Sequence, residues 1–146
     1  MRLAFLLVLT LLEYLHSNAQ LSTKMRFNID GACLITKVSE VSFTPCTPLD
    51  STSILLNSTL TIELEREKII WNFSNNVTST FLVQSFNTQD SSKDERRKCV
   101  SFICKDMSNN DVCIFDVLIG NQENRQWMIK YINDKHIIRC RITPIK

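Results

Sequence analysis

Beyond residue 19, seven side chains carry most of the chemistry of this sequence: Cys33, Cys46, Cys99, Cys104, Cys113, Cys140 and His136. Cysteine and histidine together suggest either metal ligation or disulfides. Zinc sites draw on Cys-x-x-Cys pairs and several histidines. Here no such pair occurs and His136 stands alone, so neither a metal nor a cofactor is expected. An even set of cysteines reads instead as a disulfide frame, and six of them permit fifteen pairings. As a catalytic base His136 would need a nucleophile nearby, but it follows the turn-like Asn133-Asp134-Lys135, which suits a solvated histidine. Glu63 and Glu65 alternate with Ile62 and Leu64, so they read as the wet face of a strand rather than an acid/base pair. Gly31 and Gly120 are the only glycines, too few and too far apart for a phosphate-cradling loop. The residues therefore suggest no enzyme.

The compartment follows from the start of the chain. Met1 and Arg2 precede an apolar run from Leu3 to Leu12, and a polar stretch ends in Ser17-Asn18-Ala19. A short basic start, an apolar core and small residues at the end describe a secretory signal over residues 1–19. A membrane anchor is the alternative, but the run is short for a hydrocarbon core of roughly 30 Å. No other stretch is long enough to span a membrane, so a secreted, extracellular product of residues 20–146 is expected, as one domain. Three sequons support that reading: Asn57-Ser58-Thr59, Asn72-Phe73-Ser74 and Asn76-Val77-Thr78. The net charge of +2 is too balanced to argue for nucleic acid.

These residues must be held by strands. Leu60, Ile62 and Leu64 alternate with polar neighbours; so do Ile69, Trp71 and Phe73, then Trp127, Ile129 and Tyr131, then Ile138, Cys140 and Ile142. Period-two alternation is the signature of half-buried antiparallel strands. Phe81–Phe86 and Cys113–Ile119 add β-branched and aromatic segments. Polar clusters at 75–76, 87–93, 108–111, 121–124 and 133–135 read as turns and loops. No convincing amphipathic helix, repeat or linker is present. An all-β fold is expected, with six to eight short strands forming a β-sandwich. The run Lys93-Asp94-Glu95-Arg96-Arg97-Lys98 reads as a solvated loop or, more sharply, as a cationic rim.

The cysteine frame and its neighbours resemble the ML lipid-recognition family, which includes sterol carriers, mite group 2 allergens and secreted co-receptors of Toll-like receptors. Three places carry the likeness: Val38 to Phe43 running into Thr44-Pro45-Cys46 with Cys33 upstream, the short-range pair Cys99 and Cys104, and Trp127–Ile132 followed by Ile138–Ile142 with its cysteine. It departs from the sterol carriers in having no further cysteine soon after Cys46, and Lys105 follows the short-range pair where proline is common. The resemblance implies an immunoglobulin-like sandwich of two antiparallel sheets with a lipid cavity between them. It implies the pairs Cys33–Cys140 and Cys99–Cys104, and leaves Cys46 with Cys113. A Cys33–Cys46 bond would count heavily against it. By that likeness Ile62, Leu64, Trp71, Phe73, Phe81, Val83, Phe115, Val117, Trp127, Ile129 and Tyr131 would line the cavity. Lys93, Arg96, Arg97 and Lys98 would form a rim for a lipid headgroup or a partner. The expected ligand is a sterol, fatty acid or amphipathic lipid tail, with presentation to a receptor as a further step. The alternative is a secreted interaction module that binds a cell-surface receptor ectodomain, of Toll-like type by the likeness, without lipid.

Overall fold

The computed structural model describes residues 24–90, 98–120 and 125–146. The expected signal at 1–19, three of the rim residues (Lys93, Arg96 and Arg97) and the loop at 121–124 lie outside these residues. Among the described residues there is no helix, and all pairing is antiparallel.

The strands are β1 (Lys24–Ser39), β2 (Ser42–Phe43), β3 (Thr47–Pro48), β4 (Thr59–Glu63), β5 (Lys68–Asn72), β6 (Thr78–Asp90), β7 (Lys98–Asp106), β8 (Val112–Leu118), β9 (Trp127–Ile132) and β10 (His136–Ile145). From β4 to β10 each strand pairs with its neighbour in sequence, and β10 pairs back onto β1. The expected two-sheet sandwich is thereby replaced by one closed barrel of eight strands, with β2 and β3 as a short flap on β1. The 16 residues of β1 give it room to pair with β4 near its start and with β10 along most of its length. Closure leaves none of the eight with an open edge along its paired length.

Two register shifts shape the wall. One lies between Ile29 and Gly31 in β1, the other between Val83 and Ser85 in β6. An extra residue on one strand bends it and raises its twist, which helps a sheet curl closed. At the first shift, an added Cβ on Gly31 would stand 3.2 Å from the Arg141 guanidinium, so the glycine gives that side chain room to lie across β1.

Residues 87–90, expected to start a loop, continue β6 instead, paired as far as Asp90 with Lys98. The stretch expected to run as a strand into Pro45-Cys46 is a hairpin tip, where β2 folds back so that Phe43 opposes Lys37. The turns at 75–76, 108–111 and 133–135 fall where the polar clusters lie, with Asn133 Oδ1 accepting the Lys135 and His136 amides at 2.9 and 2.8 Å.

The six cysteines do not pair as the likeness implies. Cys33 is bonded to Cys46, with Cα atoms 5.4 Å apart, while Cys99, Cys104, Cys113 and Cys140 are buried thiols. Register explains why. Ala32 opposes Cys140 and Cys33 opposes Arg139, so Cys33 and Cys140 point to opposite sides of the wall. Cys99 and Cys104 share β7 five residues apart, again on opposite faces and roughly 17 Å from each other along the strand. Cys46 sits outside on the flap and Cys113 inside the barrel. The Cys33–Cys46 bond and the closed barrel thus replace the pairing and the sandwich that the likeness implies.

Candidate functional site: the barrel interior and its outer wall

Directly opposed residues in an antiparallel ladder share a face, so the register assigns an inside and an outside to every strand. Phe27, Leu60 and Trp71 oppose one another in series, as do Ile129 with Cys140 and Phe115 with Tyr131. All eleven cavity candidates fall on the inside. Ile62, Trp71, Phe81, Phe115, Val117 and Ile129 are buried, and Leu64, Phe73, Val83, Trp127 and Tyr131 pack against them.

They fill the space rather than line it. The Phe115 ring lies 4.9 Å from Phe81, 5.1 Å from Tyr131 and 6.1 Å from Trp71. Trp71 also meets Phe73 at 5.3 Å and Tyr131 at 5.9 Å. Leu60, Ile62, Ile69, Phe115 and Ile129 are all 0% exposed. A void wide enough for water would register as exposure on the side chains around it, so these side chains border none. An eight-stranded barrel is just wide enough to be filled this way. A polar pair is tied into the plug: Trp71 Nε1 donates to Ser58 Oγ at 2.8 Å, and Ser58 Oγ donates in turn to the Leu55 carbonyl.

Three thiols share the interior. Cys104 opposes Cys113 directly, and Cys140 lies between Ala32 and Ile129. Burial pushes the Cys104 and Cys140 thiols up to about 12. Burial and the nearby Asp106 carboxylate push Cys113 up to about 11, against a hydrogen bond from Tyr131. Such thiols are poor nucleophiles and poor metal ligands, since both roles need the thiolate. Burial likewise raises Tyr131, whose hydroxyl accepts from Asn133 Nδ2 at 3.5 Å.

Elsewhere the candidates scatter. Lys98 opens β7 and is exposed, and His136 opens β10 partly exposed. Glu63 sits on the outer face but is buried there rather than wet, 9% exposed and held by Lys24 at 3.3 Å and Arg66 at 3.6 Å. Asn57, Asn72 and Asn76 are all exposed, and Asn57 and Asn76 take positive φ of 59° and 65°, which asparagine tolerates in turns. Beside the β9–β10 turn a depression of about 250 Å³ is lined by Lys37, Val38, Ser39, Glu40, Asp134 and Lys135, but Lys37 and Glu40 already pair there at 3.2 Å.

One feature of the outer wall was not anticipated from the sequence. Ile35 opposes Ile137, Ile137 opposes Ile132, Ile132 opposes Ile114 and Ile114 opposes Ile103. Five isoleucines thus stand in one rank across five adjacent strands, facing out. No signal within any single strand marks them, because the rank exists only through register.

No family model matches the chain, and no curated protein or solved structure matches it either.

Proposed function

We propose that the chain is a secreted, non-catalytic interaction module: a disulfide-clamped β-barrel that binds its partner through its outer surface rather than enclosing a ligand. The observation that carries this reading is the filled interior, above all the Phe81–Phe115–Tyr131–Trp71 ring cluster across the barrel's section. The leader-like start, the exposed asparagines of the three sequons and the Cys33–Cys46 bond support an extracellular setting. The test has two arms. Purified protein incubated with fluorescent fatty acids and sterols is expected to take up none, while labelled protein binds intact cells saturably. Saturable uptake that quenches Trp71 or Trp127 would overturn the reading.

The lipid-carrier reading keeps one observation in its favour. Eight-stranded meander barrels are an architecture that holds single small ligands. At the end of this barrel where β9 turns into β10, the inward-facing Leu34, Phe73, Tyr131 and Ile138 are only partly covered. A tail entering there would have to displace the ring cluster beneath it.

A further inference from the structure

The isoleucine rank is an apolar surface on the outside of a barrel whose inside is full, and its flanks are cationic. The geometry points to this wall as a docking surface for an anionic phospholipid bilayer, an inference that rests on the outer-surface reading above.

The rank runs from Ile35 on β1 to Ile103 on β7, roughly 19 Å over four strand spacings. Ile103 is 36% exposed and the other four are partly exposed. One outward position away, roughly 7 Å along the strands, Arg139 opposes Lys130. Asp116 continues that line and accepts from Ser101 Oγ at 2.6 Å. On the other side stand Lys37, which is ion-paired with Glu40 at 3.2 Å, and Lys105, with Lys135 brought in by the Lys37 amide, which donates to its carbonyl at 2.9 Å. Two exposed apolar side chains stand on that same side: Phe43, 51% exposed and opposite Lys37, and Val112, 55% exposed and opposite Lys105. An apolar band between lysines and arginines suits the boundary between acyl chains and anionic headgroups, where long cationic side chains reach back to the phosphates.

Other occupants match less well. Protein hot spots are enriched in tryptophan, tyrosine and arginine seated in pockets; this rank is one aliphatic residue type on a convex wall. A stable protein pair buries roughly 800 Å² on each partner, more than a single rank of partly covered side chains supplies. A bilayer sets no such threshold, because each apolar side chain adds its own transfer free energy. A second copy would bring cationic flanks together. The sequons leave the wall clear as well: Asn57, Asn72 and Asn76 lie on or beside β4, β5 and β6, the three barrel strands that the rank does not cross.

The test is cosedimentation of the folded, disulfide-bonded protein with vesicles of phosphatidylcholine alone or mixed with phosphatidylserine. Binding is expected only to the anionic vesicles, weakening as salt rises. Lys130→Ala and Arg139→Ala should each weaken binding roughly fivefold at low salt. Ile114→Ser with Ile132→Ser should reduce it at least about tenfold, with circular dichroism confirming the fold. If the isoleucine pair fails to fold, Lys130→Glu with Arg139→Glu, on the solvent face, takes its place and should abolish binding. Three results would overturn the inference: no binding to anionic vesicles, binding unchanged by these variants, or binding to polyglutamate or self-association without vesicle binding. Loss of vesicle binding with saturable cell binding intact would sink this inference alone; ligand uptake into the barrel would sink the reading beneath it.

Discussion

Replacing Phe115 with alanine tests whether the barrel is full. Phe115 is 0% exposed and meets three rings at 4.9, 5.1 and 6.1 Å. Withdrawing a fully buried phenyl group forfeits roughly 1.5–3 kcal/mol of transfer free energy. Lost ring pairing adds roughly 0.5–1.5 kcal/mol for each well-placed partner. The cavity left behind adds more, because the wall relaxes only in part. Phe→Ala substitutions in cores cost about 3–5 kcal/mol, and three ring partners place this one near the upper end. Against a total stability of roughly 5–15 kcal/mol for a domain, Phe115→Ala should remain folded but weak. Urea unfolding followed by far-ultraviolet circular dichroism should show a midpoint lower by about 2 M, with a slope of about 2 kcal/mol per molar. The new space is apolar and should stay dry, so benzene should stabilise the variant and leave the wild type unchanged. A loss below about 2 kcal/mol, or equal stabilisation of wild type by benzene, would refute the argument. It would mean that space for a ligand exists already.

Further outcomes follow from the core and from the flap. Ser58→Ala strands the buried Trp71 Nε1–H, at about 1–3 kcal/mol; in a cycle with Trp71→Phe the two changes should couple by at least about 0.5 kcal/mol, and strict additivity would contradict the bond. Cys104, Cys113 and Cys140 should resist iodoacetamide until the protein is unfolded. Their folded values lie at about 12, 11 and 12 against an ordinary 9.0, so the unfolded chain gives up thiol protons first. Stability is therefore expected to be flat with respect to these groups below pH 9 and to fall as pH rises from about 9 through about 12, and a thiol contribution of opposite sign in alkaline unfolding series on the wild type and thiol-to-alanine variants would contradict it. Peptide mapping without reduction should recover Cys33 joined to Cys46, and Cys33→Ser with Cys46→Ser should cost up to about 3 kcal/mol, the loop-entropy value for a loop of about 15 residues.

What could be read from the sequence was local. Alternation is a property of one strand, so Ile62, Trp71, Phe115 and Ile129 could be placed inside before any pairing was known. β1 hid its role because its alternation breaks. Met25, Phe27 and Ile29 face inward, then the shift before Gly31 passes the inward series to Ala32 and Leu34. Its outward face also carries Ile35, so no clean period survives. In β6 the residues from Asn87 to Asp90 are polar enough to read as a loop, yet a strand held by the β7 ladder tolerates them. Pairings between distant strands were beyond reach for a different reason. One residue of register decides whether Cys33 meets Cys140 or lies behind it, and nothing in either strand's composition records that residue.

The same dependence on register separates the two faces of this wall. Inside, side chains from different strands must interlock, as the rings of Trp71, Phe81, Phe115 and Tyr131 do. Outside, a rank of identical β-branched side chains gains from cross-strand contact but remains partly wet. Were stability the only demand on positions 35, 103, 114, 132 and 137, threonine would serve the strand nearly as well and keep the surface polar. Isoleucine there carries a solubility cost that a closed barrel, free of open strand edges, can tolerate. The cysteines divide between the two faces as well, with the Cys99 thiol buried on the outer one. The disulfide sits outside, where it ties the flap bearing Phe43 and Val41 to β1, and three free thiols sit inside, where they serve as packing. Covalent restraint has thus been placed on the flap, where Val41 is 92% exposed and packing is sparse, while the barrel is held by its core alone.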